Sequence, residues 1–159
     1  MGHKLVFLIG MAFFAACAYS QQKVEMFGGY QFTRPDGGPN LNGWNAAVTG
    51  NFNKSFGITA DFSGTYGSGL NFYTYTFGPK LTANLPVVRP YVHALFGGAH
   101  ASASFGSGEG FTTMLGGGFD AGRGRFAWRV AQFDWLLVHG SGGTSTKNVR
   151  VSTGLVLRF

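Results

Sequence analysis

The chain has 159 residues, a length that suits one domain, and only 11% of them are charged, against the ~25% typical of soluble domains. A formal net charge of +6 is spread along the sequence without a basic run, which argues against nucleic-acid binding. Glycine (27) and phenylalanine (17) are abundant, helix formers are sparse and turn residues frequent, so the chain reads as all-β.

The N-terminus has the pattern of a secretory signal. Lys4, with His3, supplies the positive start, residues 5–18 an apolar core, and Ala18-Tyr19-Ser20 the small residues expected before a cut at Gln21. Residues 1–20 are therefore expected to be removed, leaving 21–159 as the barrel domain described below, with the charge reduced to +5 by the loss of Lys4. Cys17 is the single cysteine and lies within this leader. The segment Phe14-Ala15-Ala16-Cys17 has the outline of a lipoprotein box, but with Phe where an aliphatic residue is expected, so ordinary cleavage is the favoured reading. No other stretch approaches the ~18 consecutive apolar residues of a transmembrane helix.

After the leader, the sequence alternates with a period of two. Residues 23–33 place Val24, Met26, Gly28, Tyr30 and Phe32 on one face and Glu25, Phe27, Gly29 and Gln31 on the other. A polar loop, 34–42, precedes a second strand, 43–52, with Trp44, Ala46 and Val48 opposed to Asn45 and Thr49. A tight turn at Asn53 and Lys54 leads to a third strand with Phe56, Ile58, Ala60 and Phe62 facing away from Thr59 and Asp61. Residues 64–69 read as a flexible loop. The fourth strand, 70–83, sets Tyr73, Tyr75, Phe77 and Leu81 against Thr74, Thr76, Lys80 and Thr82. After a turn at 84–89, the fifth strand turns Val92, Ala94 and Phe96 outward and Tyr91, His93 and Leu95 inward. Residues 102–110 form a further Gly/Ser loop, and the sixth strand, 111–121, opposes Phe111, Leu115 and Phe119 to Thr112, Met114 and Asp120.

The seventh strand, 126–138, breaks the rhythm, because Trp128 and Val130 share one parity while Phe133, Trp135 and Leu137 share the other. A β-bulge near Ala131 and Gln132 restores a continuous apolar face and turns Arg129, Gln132 and Asp134 inward together. Residues 139–147 are the last loop. The closing strand, 148–159, alternates strictly: Val149, Val151, Thr153, Leu155, Leu157 and Phe159 against Arg150, Ser152, Gly154, Val156 and Arg158.

Eight strands with longer loops after the odd strands and short turns after the even ones describe an eight-stranded antiparallel up-and-down transmembrane β-barrel, apolar face to lipid and polar face to the lumen. Trp44, Tyr73, Tyr75, Trp128 and Trp135 then belong to interfacial aromatic girdles. The register turns Glu25, Asp61, Asp120 and Asp134 inward with Lys80, Arg129, Arg150 and Arg158, four acids against four bases. In a lumen just wide enough for side chains to fill, such groups pair rather than stand alone. They form a rigid plug or, as the alternative, line a narrow polar path.

Enzymatic chemistry finds little support. His93, His100 and His139 lack metal-ligand spacing, and Ser141 and Ser145 near His139 have no orienting carboxylate close in sequence. The glycine runs at 116–118 and 140–143 do not join a strand to a helix, so they are not phosphate loops. No cofactor is expected.

In its architecture, its terminal Leu157-Arg158-Phe159 and segments such as RPYVHALFGGAHA (89–101), the chain from 21 to 159 resembles the small outer-membrane β-barrel family of the OmpA transmembrane domain and OmpX-like proteins. The resemblance implies a bacterial outer-membrane location. It also implies that Gly154, Leu155, Leu157 and Phe159 form the signal read by the barrel-assembly machinery. No peptidoglycan-binding domain is expected, so the cell-wall tethering of full-length OmpA is not implied. The family includes adhesins, structural proteins and lipid-modifying enzymes on one scaffold. The expected role is structural or surface-interacting, with the lumen filled by paired charges; a narrow porin-like channel is the alternative, and a soluble lipocalin-like barrel a more distant one. Expected partners are outer-membrane lipid, the assembly machinery and a surface ligand at the loops.

Overall fold

In the computed structural model, which describes residues 24–159, eight strands form one closed antiparallel barrel with neighbours in chain order. The expected signal peptide, its cleavage site before Gln21 and Cys17 lie outside the described residues. The strands are β1 Val24–Arg34, β2 Leu41–Asn51, β3 Phe56–Gly67, β4 Leu70–Thr82, β5 Val88–Ala103, β6 Gly106–Ala121, β7 Phe126–Gly140 and β8 Gly143–Arg158. The sheet closes between β1 and β8, from Glu25 opposite Arg158 to Arg34 opposite Val149, and the Phe159 amide donates to the Val24 carbonyl at 2.9 Å. Closure removes both sheet edges, so no ladder group is left without a strand to pair with.

Alternation along each strand puts the large apolar side chains outside and the polar ones inside. Phe62, Tyr75, Phe77, Val92, Phe96, Leu115, Phe133, Trp135 and Leu155 are exposed, whereas Glu25, Asn45, Asp61, Thr74, Lys80, Asp120, Asp134 and Arg150 are buried. This inverts the polarity of a soluble barrel and matches that of a barrel in lipid. The aromatics also cover gaps in the wall: a Cβ at Gly64 would lie 2.9 Å from the Trp44 ring nitrogen, and one at Gly98 would lie 2.3 Å from the Tyr75 ring. Rings laid over outward glycines restore the apolar surface that those glycines lack.

The connections differ from expectation. Residues 64–69, 102–110 and 139–147 are not loops; the strands continue through them, leaving two-residue hairpin tips at Ser68-Gly69, Ser104-Phe105 and Ser141-Gly142. Only 35–40 is a loop of any length at that end, while the opposite turns span 52–55, 83–87 and 122–125. Glycine, serine and threonine mark turns in sequence, yet once a hairpin has started they extend its ladder without steric objection. Thr65 to Gly67 pair with Phe72 to Leu70 in this way, and Ala99 to Ala103 with Gly110 to Gly106. Ser68 and Gly69 take φ of 49° and 76°, the two left-handed positions that a type I′ hairpin requires.

The bulge in β7 is present one residue earlier than expected. Both ladders shift between Arg129 and Gln132, at Val130 and Ala131, so that Arg129, Gln132 and Asp134 face inward together. A second shift between Leu136 and Val138 has no forecast in the alternation. There the buried Asn148 donates to the Leu136 carbonyl at 3.3 Å and the Ser145 hydroxyl at 2.9 Å, and it accepts from the Asp36 amide at 3.0 Å.

The outward polarity gives a direct test. Phe77, 65% exposed near the middle of β4, faces the barrel's surroundings. Phe77→Arg is expected to destabilise the barrel by about 2–4 kcal/mol when unfolding is measured from a lipid bilayer. In water, the same change on an exposed ring would be nearly neutral.

Candidate functional site in the barrel lumen

Three of the inward acid–base pairs sit directly opposite one another in the ladders: Glu25 with Arg158, Asp120 with Arg129, and Asp134 with Arg150. The strands thus bring these partners together through register alone, without loops. The Arg158 Nε lies 3.0 Å from the Glu25 carboxylate, the Arg129 Nε 2.8 Å from Asp120, and the Arg150 Nε 2.7 Å from Asp134.

Further bonds cross the lumen and join the pairs. Lys80 on β4 reaches Glu25 on β1 at 3.5 Å, and Arg158 on β8 reaches Asp120 on β6 at 3.2 Å. Arg150 forks onto both oxygens of Asp61 on β3, at 2.7 and 3.1 Å, while retaining Asp134. Gln132 connects the upper and lower halves, accepting from Arg129 at 2.8 Å and from the Tyr91 hydroxyl at 2.6 Å and donating to Asp134 at 2.7 Å. All eight inward charges therefore belong to one chain of contacts, Lys80 to Glu25, Arg158, Asp120, Arg129, Gln132, Asp134, Arg150 and Asp61. Asn45 completes it by donating to both Asp61 oxygens at 3.1 and 3.0 Å. Opposite charges in this low-dielectric space compensate the desolvation that each alone would suffer.

Several residues join the network that the charge pattern alone does not single out. The His93 ring lies 2.6 Å from Asp134, and Tyr91 supplies a ring face to Lys80 at 4.4 Å and to Arg129 at 4.5 Å. The Arg129 guanidinium also lies 4.3 Å from the Phe27 ring centre, held between two aromatic faces. Glycine makes the space for this: a Cβ at Gly116 would come within 2.1 Å of the Asp134 carboxylate and 2.4 Å of the Phe133 carbonyl. At Gly154 a Cβ would meet the Gly28 carbonyl at 2.3 Å, so the close β1–β8 approach itself requires the hydrogen there.

Two apolar clusters lie among the inward side chains, with Glu25 and Arg158 further toward the turn end than either. Toward the hairpin end, Leu95, Met114 and Leu136 lie side by side on β5, β6 and β7, packed by Phe72 and Val138. Toward the turn end, Phe27, Ala47, Ala127 and Val156 cluster. The parity that turns Gln132 and Asp134 inward also turns Leu136 inward, so this layer was readable from the seventh strand once the bulge was placed.

The catalytic and metal alternatives gain nothing from the geometry. Among the described residues no three His, Cys, Asp or Glu side chains are placed to hold a metal ion, and His139 has neither a serine nor a carboxylate as hydrogen-bond partner. The glycine run 116–118 lies within β6, inside the sheet.

No protein-family model matches the chain, and no curated protein matches it. Solved structures do. Neisserial surface protein A (NspA) superposes with a TM-score of 0.67 at 12% identity, over 88% of this chain and 98% of that one. The fold is that of the small outer-membrane β-barrels. Ail, the attachment invasion locus protein of Yersinia pestis, matches with a TM-score of 0.55 at 18% identity over 88% of this chain and all of that one. The N-terminal barrel domain of Pseudomonas aeruginosa OprF matches at 0.56 and 16% identity over 87% of this chain and 100% of that one.

Arg150 is fully buried between Asp61 and Asp134. Arg150→Met is expected to cost about 3–5 kcal/mol in denaturant unfolding from micelles, because it leaves two buried carboxylates without their cation. Adding Asp61→Asn and Asp134→Asn to that variant should recover a large part of the loss.

Proposed function

We propose that this chain is a bacterial outer-membrane barrel whose lumen serves as a rigid plug, and that it acts structurally or through surface contacts at its hairpin end. It is not proposed as an enzyme. The observation that carries the reading is the Arg150 guanidinium, joined across the lumen to Asp61 and along the ladder to Asp134, with the Leu95, Met114 and Leu136 layer on its hairpin side. Side chains locked to one another across a bore this narrow leave no continuous route for a solute. A narrow solute channel is the second reading. It is favoured by five buried oxygens on the lumen wall that lack a protein partner among the described residues, on Gln31, Asn45, Thr76, Thr112 and Ser152.

For surface contact, the hairpin tips present Ser68, Gly69, Ser141 and Gly142 together with Phe105, which is 97% exposed. An isolated aromatic on a small-residue hairpin is a ready anchor for a partner surface. Ail has been solved in complex with the heparin analogue sucrose octasulfate. In this chain Arg34 and Lys147 at the hairpin end are balanced by Asp36 and Glu109, which favours an uncharged or mixed partner there over a sulfated polyanion.

The terminal strand supports entry into the membrane. Leu155, Leu157 and Phe159 lie on the lipid side of β8, with Gly154 allowing β8 to close on β1, which suits their proposed role as the signal for the barrel-assembly machinery.

Two measurements test these readings. The refolded protein in planar bilayers is expected to give no discrete conductance steps; stable steps altered by Asp134→Asn would establish the channel instead. Deleting Phe159 is expected to reduce outer-membrane assembly in cells several-fold while leaving the unfolding midpoint of already folded barrel nearly unchanged. Equal assembly of both forms would remove the assembly role of this strand.

A further inference from the structure

Charge is distributed unevenly between the two ends of the barrel. Among residues 24–159 Lys and Arg outnumber Asp and Glu by four. The lumen network balances itself, and at the hairpin end Arg34 and Lys147 match Asp36 and Glu109. The whole surplus is therefore carried by Lys54, Arg89, Arg123 and Arg125, all at the end formed by the turns 52–55, 83–87 and 122–125.

Those turns enclose an open cavity of about 500 Å³ whose lining includes Lys54, Arg89 and Arg123 together with Asn51, Asn53 and Asn84. Its shape is built by specific bonds. Asn53 caps the first turn by accepting from the Ser55 and Phe56 amides at 2.8 and 2.7 Å, and the Asn84 amide donates to the Lys54 carbonyl, tying the first turn to the second. The second and third turns are joined by the Gly122 amide on the Val87 carbonyl at 3.0 Å and by the Arg123 Nε on the Pro86 carbonyl at 3.2 Å. Arg89 is oriented by its Nε bond to Asn84 at 2.6 Å. Both guanidinium groups are thus held through Nε, and their Nη donors have no protein acceptor among the described residues. No described carboxylate lies within ion-pair distance of Lys54, Arg89 or Arg123. Glu25 and Asp120, the acids nearest this end, are already bound to Lys80, Arg129 and Arg158.

We propose that this mouth is a binding site for a phosphate ester group. Three cations with no carboxylate in ion-pair contact around a concave surface focus positive potential into it, and the guanidinium fork suits two phosphate oxygens at once. Two sources share this chemistry: a phospholipid headgroup and a soluble phosphate ester. The rim carries exposed Leu85, Val87 and Phe126 beside the basic cavity, an arrangement that would let acyl chains run along the barrel while the headgroup enters the mouth.

The test uses the refolded full barrel in phosphatidylcholine nanodiscs at low ionic strength, with two probes. Inorganic phosphate binding is followed by phosphorus NMR, and phosphatidylglycerol retention by native mass spectrometry. Saturable binding of at least one probe is expected, weakened about tenfold or more in Lys54→Gln/Arg89→Gln/Arg123→Gln and weakened by added salt. Arg34→Gln/Lys147→Gln, at the opposite end, should bind as the unsubstituted protein does. Phosphatidylglycerol retention that phosphate cannot compete away assigns the headgroup; phosphate binding without lipid retention assigns a soluble ester. Heat-modifiable gel migration checks that the triple variant is folded. If it is not, Lys54→Gln and Arg123→Gln, both on turns, are measured singly, and each must weaken binding. Equal binding by variant and unsubstituted protein, or no binding of either probe, overturns the proposal.

Discussion

A guanidinium shut inside an eight-stranded barrel must be matched by carboxylates, and Arg150 is where this constraint bears hardest. It has no exposed surface, and it joins β8 to β7 through Asp134 and to β3 through Asp61 on the far side of the bore. Its neighbours are set around that demand. Gly116 leaves room for the Asp134 carboxylate, His93 and Gln132 occupy the lone pairs that Arg150 does not, and Asn45 holds Asp61 from the other side. A partly satisfied set of this kind would be worse than an apolar core, because each orphaned charge retains its full desolvation cost. The network is therefore interdependent along its length rather than a sum of pairs.

The inverted polarity of the wall follows from the same geometry. Alternation sends half of every strand inward, and a bore this narrow is filled by those side chains, so the molecule's polar groups end up as its core. The apolar residues that would form a core elsewhere are spent on the outer surface. Of the apolar side chains inside, Leu95, Met114 and Leu136 form one layer on the hairpin side of Arg150 and Asp134, and Phe27, Ala47, Ala127 and Val156 form a second cluster nearer the turn end. The apolar layer beside Arg150 lowers the local dielectric and strengthens its ion pairs with Asp61 and Asp134.

How far the sequence could be read depends on the range of the interaction. Period-two alternation assigns faces, so the strand count, the outward Trp44, Tyr75 and Trp135 and the inward parity of Arg150 and Arg158 were all accessible from local pattern. The misplaced loops come from local chemistry that has two uses. The runs at 102–110 and 139–147 contain residues that break strands when isolated but extend a ladder when a hairpin tip has already set the register. The extra residue in β8 opposite Leu136 and Val138 left no mark on the alternation, since Thr146 and Lys147 are polar on either face. Contacts across the bore were beyond reach altogether. Arg150 and Asp61 are 89 positions apart, and their meeting depends on shear and closure of the whole sheet rather than on either neighbourhood.

On the proposed plug reading, contact with other molecules falls to the barrel's ends, and those ends differ in kind. At the hairpin end three of the four connections are two-residue tips and the fourth is the loop 35–40, with charges that cancel and one bare aromatic, Phe105. At the turn end connections of four or five residues are cross-linked by Asn84, Arg123 and Gly122, and Lys54, Arg89 and Arg123 have no described carboxylate within ion-pair distance. The lumen cannot absorb that surplus, because its four acids are already committed to four bases inside. Charge left uncompensated on a preformed concave surface is either neutralised by what surrounds the protein or persists as an unfavourable field. The neutral lumen and the basic mouth are thus two consequences of one fact: four of the acids sit inside, placed by strand register, while the turns carry Lys54, Arg123 and Arg125 and no acid.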